Sequence, residues 1–188
     1  MTLHDRPALL LIDIQKGLEE LAYYGGHRNN PDAEIKAAEL LEFWRTHNLP
    51  IVHIKHNGTP PSPLAKGLPG NDFKDIIKPK QHEKVIEKNV NSAFIGTSLQ
   101  KFLDQEQIQK VILVGLTTDH CVSSTARMAN NLGYDTYVIS DATATFNKIG
   151  PNNKEHTAEQ IHEITLASLH NEFATIFETD TLLTNLTQ

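Results

Sequence analysis

Cys121 is the only cysteine of the chain, and the sequence around it predicts that it lies where a strand meets a helix. Residues 111–114 are a short apolar run typical of a strand buried in a parallel sheet. Gly115 ends that run, and residues 120–131 then carry apolar side chains at helical spacing. We therefore expect Cys121 in the first turn of a helix, where backbone N–H groups and the helix dipole favour a thiolate. Such a thiolate could attack a carbonyl carbon, and the same N–H groups could stabilise the oxyanion that forms.

A lone cysteine is more commonly a small buried hydrophobic residue, so Cys121 by itself leaves a structural and a catalytic interpretation open. Two other residues favour catalysis: Asp13 stands at the end of one predicted strand and Lys88 at the end of another. Because the carboxyl ends of parallel strands meet at one edge of a sheet, we expect all three side chains to converge there. They would supply a nucleophile, a carboxylate that accepts and returns its proton, and a cation that holds the thiolate.

The elements that would position these residues alternate between strands and helices. The predicted strands are residues 8–14, 50–55, 85–88, 111–114, 136–140 and 174–177, and the predicted helices are residues 31–47, 97–106, 120–131 and 156–170. This order favours an α/β fold, a three-layer doubly wound sandwich with a six-stranded parallel sheet. With 188 residues and 39% hydrophobic content, we expect residues 1–188 to form a single domain.

Composition argues against several classes of function. The formal net charge of -6 and the absence of a Lys/Arg-rich stretch disfavour binding to nucleic acid or to an anionic membrane. The apolar run at residues 8–12 is too short for a signal peptide or a membrane span, so we expect a cytoplasmic protein. No glycine-rich phosphate loop follows a predicted strand, which disfavours a dinucleotide site. Five prolines in residues 56–79 predict an irregular loop, residues 57–79, packed over a site.

Several stretches resemble the isochorismatase-like cysteine hydrolases, a family that includes nicotinamidases, ureidoacrylate and biuret amidohydrolases, streptothricin hydrolase and isochorismatase itself. They are LLLIDIQKG (residues 9–17), EKNVNSAF (87–94) and VGLTTDHCVSSTAR (114–127), supported by VISDATATF (138–146) and TLASLHNEFATI (165–176). The resemblance implies an isochorismatase-like fold with Asp13 as general base, Lys88 as the neighbouring cation and Cys121 as nucleophile. It also implies a cis peptide between Leu116 and Thr117, and an oxyanion hole formed by the backbone N–H groups of Thr117 and Cys121.

Together these residues predict a hydrolase that cleaves a C–N bond of a small amide or ureide through a thioester on Cys121. Two alternatives remain: a vinyl ether hydrolase like isochorismatase, which does not require a cysteine, and a non-catalytic or redox-sensing member of the fold. A redox role is disfavoured because the chain has no second cysteine to resolve a sulfenic acid. The family commonly forms dimers and tetramers, so we expect a homodimer or a homotetramer with a small-molecule substrate.

The metal site of nicotinamidases is not expected here. Those enzymes carry an Asp-x-His motif and a further histidine after the second strand, where this chain has VHIKHNGTPPSPL (residues 52–64). His53 and His56 are three apart, and residues at that spacing in a strand point to opposite faces. We interpret them as a packed strand histidine and a loop histidine, and expect neither a metal nor another cofactor.

The candidate substrate-binding residues are Gln15, Phe94 and His120. Phe94 would offer an apolar face to the substrate, although it could equally be part of the core. His120 is next to the nucleophile, although a solvated histidine at a helix start is an equally good interpretation. The remaining histidines that we considered, His27, His162 and His170, are assigned to surface or subunit contacts.

Overall fold

The structure is a computed structural model that describes residues 1–187. Its strands are β1 (Ala8–Ile12), β2 (Ile51–His56), β3 (Lys84–Lys88), β4 (Lys110–Leu116), β5 (Asp135–Ala144), β6 (Lys148–Ile149), β7 (Glu155–His156) and β8 (Thr175–Phe177). Its α-helices are α1 (Leu21–Tyr24), α2 (Ala33–Thr46), α3 (Leu99–Gln105), α4 (Ser123–Asn131), α5 (Ala158–Leu169) and α6 (Thr179–Thr187). The predicted alternation of strands and helices is therefore confirmed.

Six of these strands form one parallel sheet in the order β3-β2-β1-β4-β5-β8. The chain moves outward in one direction from β1 to β3, then returns to the other side of β1 and moves outward through β4, β5 and β8. The strand order thus reverses between β1 and β4. In open sheets of this kind, ligands bind at the carboxyl ends of the strands beside that reversal.

The sheet is covered on both faces, because its alternate residues face two separate apolar clusters. Leu9 and Leu11 of β1 belong to the cluster that includes α2 and α6. Leu10 and Ile12 belong to the cluster that includes α3, α4 and the end of α5. Every residue of β1 is buried, as expected for a central parallel strand with helices on both sides. This confirms the predicted three-layer, doubly wound sandwich.

Four parts of the structure differ from the sequence prediction. A π-helical turn at Thr118–Val122 precedes α4, so Cys121 lies in that turn and not in a regular first helical turn. The antiparallel pair β6 and β7 and the helices α1 and α6 were not predicted. Helix α6 has four threonines, which are weak helix formers, and it forms because Leu182 and Leu186 pack into the core.

The proline-rich segment 57–79 is irregular, as predicted, apart from the 3-10 turns Pro69–Asn71 and Asp75–Ile77. The Asn71 side-chain amide stabilises the segment by donating to the carbonyl oxygens of His56 and Leu64, at 3.0 and 2.8 Å.

In the part of the chain that the structure describes, no helix has the length and apolar character needed to cross a membrane.

Candidate active site

Asp13, Lys88 and Cys121 meet at the carboxyl edge of the sheet, beside the reversal of strand order. Asp13 directly follows β1, Lys88 is the last residue of β3, and Cys121 lies in the π-helical turn after β4. His56 ends the intervening strand β2 and is paired in register with Lys88. Four neighbouring strand ends thus supply four polar side chains to one place, which confirms the predicted convergence of the first three residues.

The backbone at this edge is shaped by Gly115, near the end of β4. Its φ of 119° lies in a region that residues with a Cβ rarely adopt, and a Cβ there would collide with the carbonyl oxygen of Ile12. The close approach of β4 to the end of β1 brings the Cys121 turn beside Asp13. Asp13 itself has a φ of 50°, a left-handed conformation that aspartate tolerates better than most residues. The Leu116–Thr117 peptide is cis, as the family resemblance implied.

Lys88 connects the other three side chains. Its Nζ atom lies 2.6 Å from Asp13 Oδ2, 3.0 Å from His56 Nδ1 and 3.2 Å from Cys121 Sγ. The Lys88 side chain is 0% exposed, so its ammonium group depends on these partners instead of water. An ammonium has three N–H donors, and each of them has an acceptor here. The Lys88 ammonium is therefore held in a fixed position between the Asp13 carboxylate and the Cys121 sulfur.

Burial and the charges around Cys121 act against the predicted thiolate. Burial raises the pKa of the Cys121 thiol and the Asp13 charge raises it further, while the Lys88 charge lowers it less strongly. The desolvation of the sulfur thus has a larger effect on its pKa than the lysine has. An attack by the sulfur therefore requires a base that takes the thiol proton.

Asp13 has an oxygen free for that purpose. Among residues 1–187, four buried side-chain polar atoms have no hydrogen-bond partner: Asp13 Oδ1, Thr117 Oγ1, the Tyr24 hydroxyl and His53 Nδ1. Buried polar groups in folded proteins are nearly always hydrogen-bonded, so such a concentration of exceptions indicates a site for a ligand. Asp13, Thr117 and Tyr24 all line the same cavity of about 300 Å³, which also reaches the Cys121 sulfur.

The cavity contains one of the three predicted substrate-binding residues. His120 lines it, and burial lowers the pKa of its imidazole. Among residues 1–187, the lining does not include Gln15 or Phe94. Phe94 packs in the core against Tyr134, with ring centroids 5.8 Å apart. Gln15 was predicted to bind substrate but does not line this cavity. Of the two interpretations of Phe94, the structure supports the core residue.

Gln15 instead holds the end of β2 in place. Its Nε2 donates to the carbonyl oxygens of His56 and Asn71, at 3.0 and 2.8 Å, and its Oε1 accepts from the His56 N–H at 2.8 Å. Both N–H groups of the Gln15 amide are thus used by the backbone and are not available to a substrate. The amide after Asp13 therefore fixes the strand end that carries His56.

His56 and His162 form contacts with site residues that the sequence did not predict. His53 is a packed strand histidine as predicted, but His56 ends β2 instead of lying in the loop, and its ring accepts from Lys88. Burial and the Lys88 charge lower the pKa of His56, which keeps the ring neutral. His162 is buried, not at the surface, and its Nδ1 lies 2.9 Å from Thr118 Oγ1 in the Cys121 turn. The sequence did contain one indication of the role of His56, since this residue lies at the end of a predicted strand much as Asp13 does.

The same residues bear on the prediction of a metal-free site. Asp13, His56 and Cys121 offer ligand atoms within 4.8 Å of one another, and oxygen, nitrogen and sulfur ligands of this kind suit zinc. The Lys88 ammonium, however, already donates to all three groups at 2.6 to 3.2 Å. A positive charge is thus supplied at this point by the chain itself, and the absence of a metal stays a prediction.

Comparison with known proteins identifies relatives along nearly the whole chain. A family model described as the isochorismatase domain matches residues 7–181. The uncharacterized isochorismatase family protein YrdC of Bacillus subtilis is 44% identical over 96% of this chain and 96% of its own length. Nicotinamidase 3 of Arabidopsis thaliana is 30% identical over 95% of this chain and 88% of its own. A crystal structure from Chromobacterium violaceum, described as a hydrolase of the isochorismatase family, superposes with a TM-score of 0.93 at 36% identity, covering 97% of this chain and 94% of that one.

Proposed function

Because this chain belongs to the isochorismatase family of hydrolases, we propose that it cleaves a C–N bond of a small amide or ureide with Cys121 as the nucleophile. The observation that carries the proposal is the contact of Lys88 with both Asp13 and Cys121 at the wall of a cavity. The relative named as a nicotinamidase acts on an amide, which supports this class of substrate.

In the proposed first half-reaction, Cys121 Sγ attacks the carbonyl carbon while its proton passes to the free Oδ1 of Asp13. Because burial raises the pKa of the thiol, we place this proton transfer in the same step as the attack. The Lys88 ammonium stabilises the negative charge that develops on sulfur, and it holds the other carboxylate oxygen of Asp13. The C–N bond then breaks, Asp13 returns the proton to the departing amine, and the acyl group remains as a thioester on Cys121.

In the second half-reaction, Asp13 takes a proton from a water molecule that attacks the thioester carbonyl. The C–S bond breaks, the carboxylic acid product leaves, and the proton returns to the Cys121 sulfur. In both steps the negative oxygen of the tetrahedral intermediate would accept from the backbone N–H groups of Thr117 and Cys121. The loss of one such donor costs about 3 to 4 kcal/mol of transition-state stabilisation in other hydrolases.

Ammonia release from a panel of small amides and ureides tests this proposal, with wild type, Cys121→Ala and Cys121→Ser compared in the presence and absence of a chelator. We expect wild type to release ammonia from at least one compound and both variants to release none, with circular dichroism spectra and melting temperatures close to wild type. The chelator should have no effect, since the positive charge at the site comes from Lys88.

Two results would contradict the proposal. The first is turnover at the wild-type rate by Cys121→Ala, which would show that the sulfur is not the nucleophile. The second is silence of wild type across the panel together with consumption of isochorismate, which would assign the chain to vinyl ether hydrolysis.

A further inference from the structure

Among residues 1–187, the Tyr24 hydroxyl is one of two unpartnered polar atoms at the cavity that the proposed mechanism leaves unused, the other being Thr117 Oγ1. Asp13 Oδ1 accepts the thiol proton, and Thr117 contributes its backbone N–H, not its hydroxyl, to the proposed oxyanion hole. The hydroxyl oxygen of Tyr24 is buried and lacks a hydrogen-bond partner among the described residues, although its side chain lines the cavity. Leaving a buried hydroxyl unpaired costs roughly 1–3 kcal/mol, so a ligand that pairs with it gains affinity.

The Tyr24 ring is held in place before any ligand arrives. It stacks on the fully buried Phe146 with ring centroids 5.1 Å apart, and it meets the Tyr23 ring edge-on at 4.9 Å. Helix α1 ends directly after it at Gly25, whose φ of 113° turns the chain sharply. The hydroxyl is therefore presented at a fixed point, and binding a ligand there requires little ordering of the side chain.

The hydroxyl can act only as a neutral hydrogen-bonding group. Burial raises the pKa of Tyr24 to about 12, and the negative charge of Asp13 contributes to that rise. The Ser62 side chain, which also lines the cavity, lies near enough to the hydroxyl to lower its pKa but outside hydrogen-bonding distance. At neutral pH the phenol keeps its proton and has an O–H available to donate.

The rest of the wall near the nucleophile is mixed in character. Leu18 and Leu64 are buried apolar side chains, while Asn91 contributes an amide close to the Cys121 sulfur. A cavity of about 300 Å³ is at the small end of the range for ligand sites. Such a cavity accepts a short acyl group that is apolar along its length and polar at one further point.

We propose that Tyr24 is a specificity-determining residue whose hydroxyl donates a hydrogen bond to an acceptor on the acyl part of the substrate. This inference rests on the proposed function and narrows its substrate class. The preferred substrates are small amides or ureides that carry a second oxygen or nitrogen acceptor a few bonds from the scissile carbonyl. Amides with purely hydrocarbon acyl groups of the same size bind less well.

The test measures protection of Cys121 from alkylation, which does not depend on turnover. Cys121 is the only cysteine, so the rate of iodoacetamide labelling, followed by intact mass, reports on this site alone. Two isosteric pairs of amides serve as probes: butyramide with 2-methoxyacetamide, and valeramide with 3-methoxypropanamide. Within each pair an ether oxygen replaces a methylene group. Wild type, Tyr24→Phe and Tyr137→Phe are compared, the last being a control tyrosine that packs on Phe177 at the far side of the sheet.

In at least one pair, we expect the preference for the ether over the methylene to fall about 3- to 10-fold in Tyr24→Phe, the range for a lost neutral hydrogen bond. Tyr137→Phe should keep the wild-type preference. An equal preference in wild type and Tyr24→Phe overturns the inference, and so does a lack of protection by all four amides. The proposed function fails separately, through ammonia release that does not depend on Cys121, so the two failures are distinguishable.

Discussion

Two buried clusters of charged side chains lie beside β2 and β3, one toward each end, and they differ in whether the carboxylate keeps an oxygen without a hydrogen-bond partner. Toward the amino ends, Glu83 accepts from Arg45 at 2.7 and 2.9 Å, from His53 at 2.9 Å and from the Lys80 N–H at 2.8 Å. Both oxygens of Glu83 are thus occupied. At the carboxyl ends, Asp13 uses one oxygen for Lys88 and keeps the other free beside Cys121.

This difference between the carboxylates separates the two clusters more clearly than cavity size does. A cleft of about 750 Å³, larger than the cavity at Cys121, adjoins Arg45 and Glu83, yet both oxygens of its buried carboxylate already accept hydrogen bonds. Three of the residues that line the smaller cavity each have an unpartnered polar atom, and one of these atoms is the carboxylate oxygen that the proposed mechanism uses as the base. The free carboxylate oxygen, not the volume of the cavity, therefore favours the site at Cys121 for the proposed chemistry.

The largest effect that separates the two clusters is expected from Asp13→Asn. An amide oxygen accepts a hydrogen bond from Lys88 but is too weak a base to take the thiol proton, so kcat should fall by about 10³-fold or more. Steady-state ammonia release at saturating amide measures the change. The matched control is Glu83→Gln, which should keep wild-type kcat per folded molecule. Loss of less than about 10-fold in Asp13→Asn would remove this residue from the role of base.

Glu83→Gln should instead destabilise the fold. It removes the carboxylate that neutralises Arg45 in a place where the Glu83 side chain is only 2% exposed. Breaking a buried ion pair of this kind costs about 3 kcal/mol of unfolding free energy, which urea denaturation measures. Glu87→Gln is the control on the same strand, since its partner Lys66 is 71% exposed and such surface pairs contribute little. Equal destabilisation by both substitutions would contradict the structural assignment of the Glu83 cluster.

The stability that Glu83 contributes should disappear in acid. Burial by itself raises the pKa of this carboxyl, but the hydrogen bonds from Arg45, Lys80 and His53 together lower it to about 2, from 4.5. A lowered carboxyl pKa stabilises the folded state above pH 4.5, and this contribution is lost as the pH falls from 4.5 toward 2. The gap in unfolding free energy between wild type and Glu83→Gln should therefore shrink by more than half between pH 7 and pH 3. A gap that is constant with pH would show that the carboxylate is not the source.

A smaller effect is expected from His56→Gln. The histidine gives one of the three Lys88 N–H groups an acceptor, and its loss would leave the ammonium less firmly directed toward Cys121. We expect kcat to fall about 10-fold in His56→Leu, on the scale of one hydrogen bond to a charged group, and less in His56→Gln, whose amide oxygen can still accept. Steady-state kinetics of the two variants decide this. Equal kcat in both would show that the acceptor atom is unimportant.

Much of this arrangement could be predicted from the sequence, because parallel strands place their carboxyl ends at one edge. Asp13, Lys88 and Cys121 each follow or end a buried strand, so local patterns were sufficient to bring them together. The six strands of the sheet and the helices α2 to α5 followed from the same periodicity. His56 also ends a strand, but the sequence indicated only a possible metal ligand at this position and not a contact with Lys88.

Other features depend on packing that no local pattern specifies. The raised pKa of the Cys121 thiol follows from how deeply the sulfur is buried and how near Asp13 lies, and both depend on tertiary packing. Gln15 was expected to bind substrate, yet its amide donates to the carbonyl oxygen of Asn71 in the proline-rich segment. Tyr24 lies in a short helix beside a glycine-rich turn, and only its stacking on Phe146 brings its hydroxyl to the cavity.

The most direct test of the central claim is the intact mass of the enzyme after rapid acid quenching during turnover of the best amide in the panel. Our account predicts that a fraction of wild type gains the mass of the acyl group, that the adduct maps to the peptide containing Cys121, and that hydroxylamine removes it. Cys121→Ala should show no adduct under the same conditions. Turnover at the wild-type rate in Cys121→Ala, or an acyl adduct on any other residue, would contradict the account.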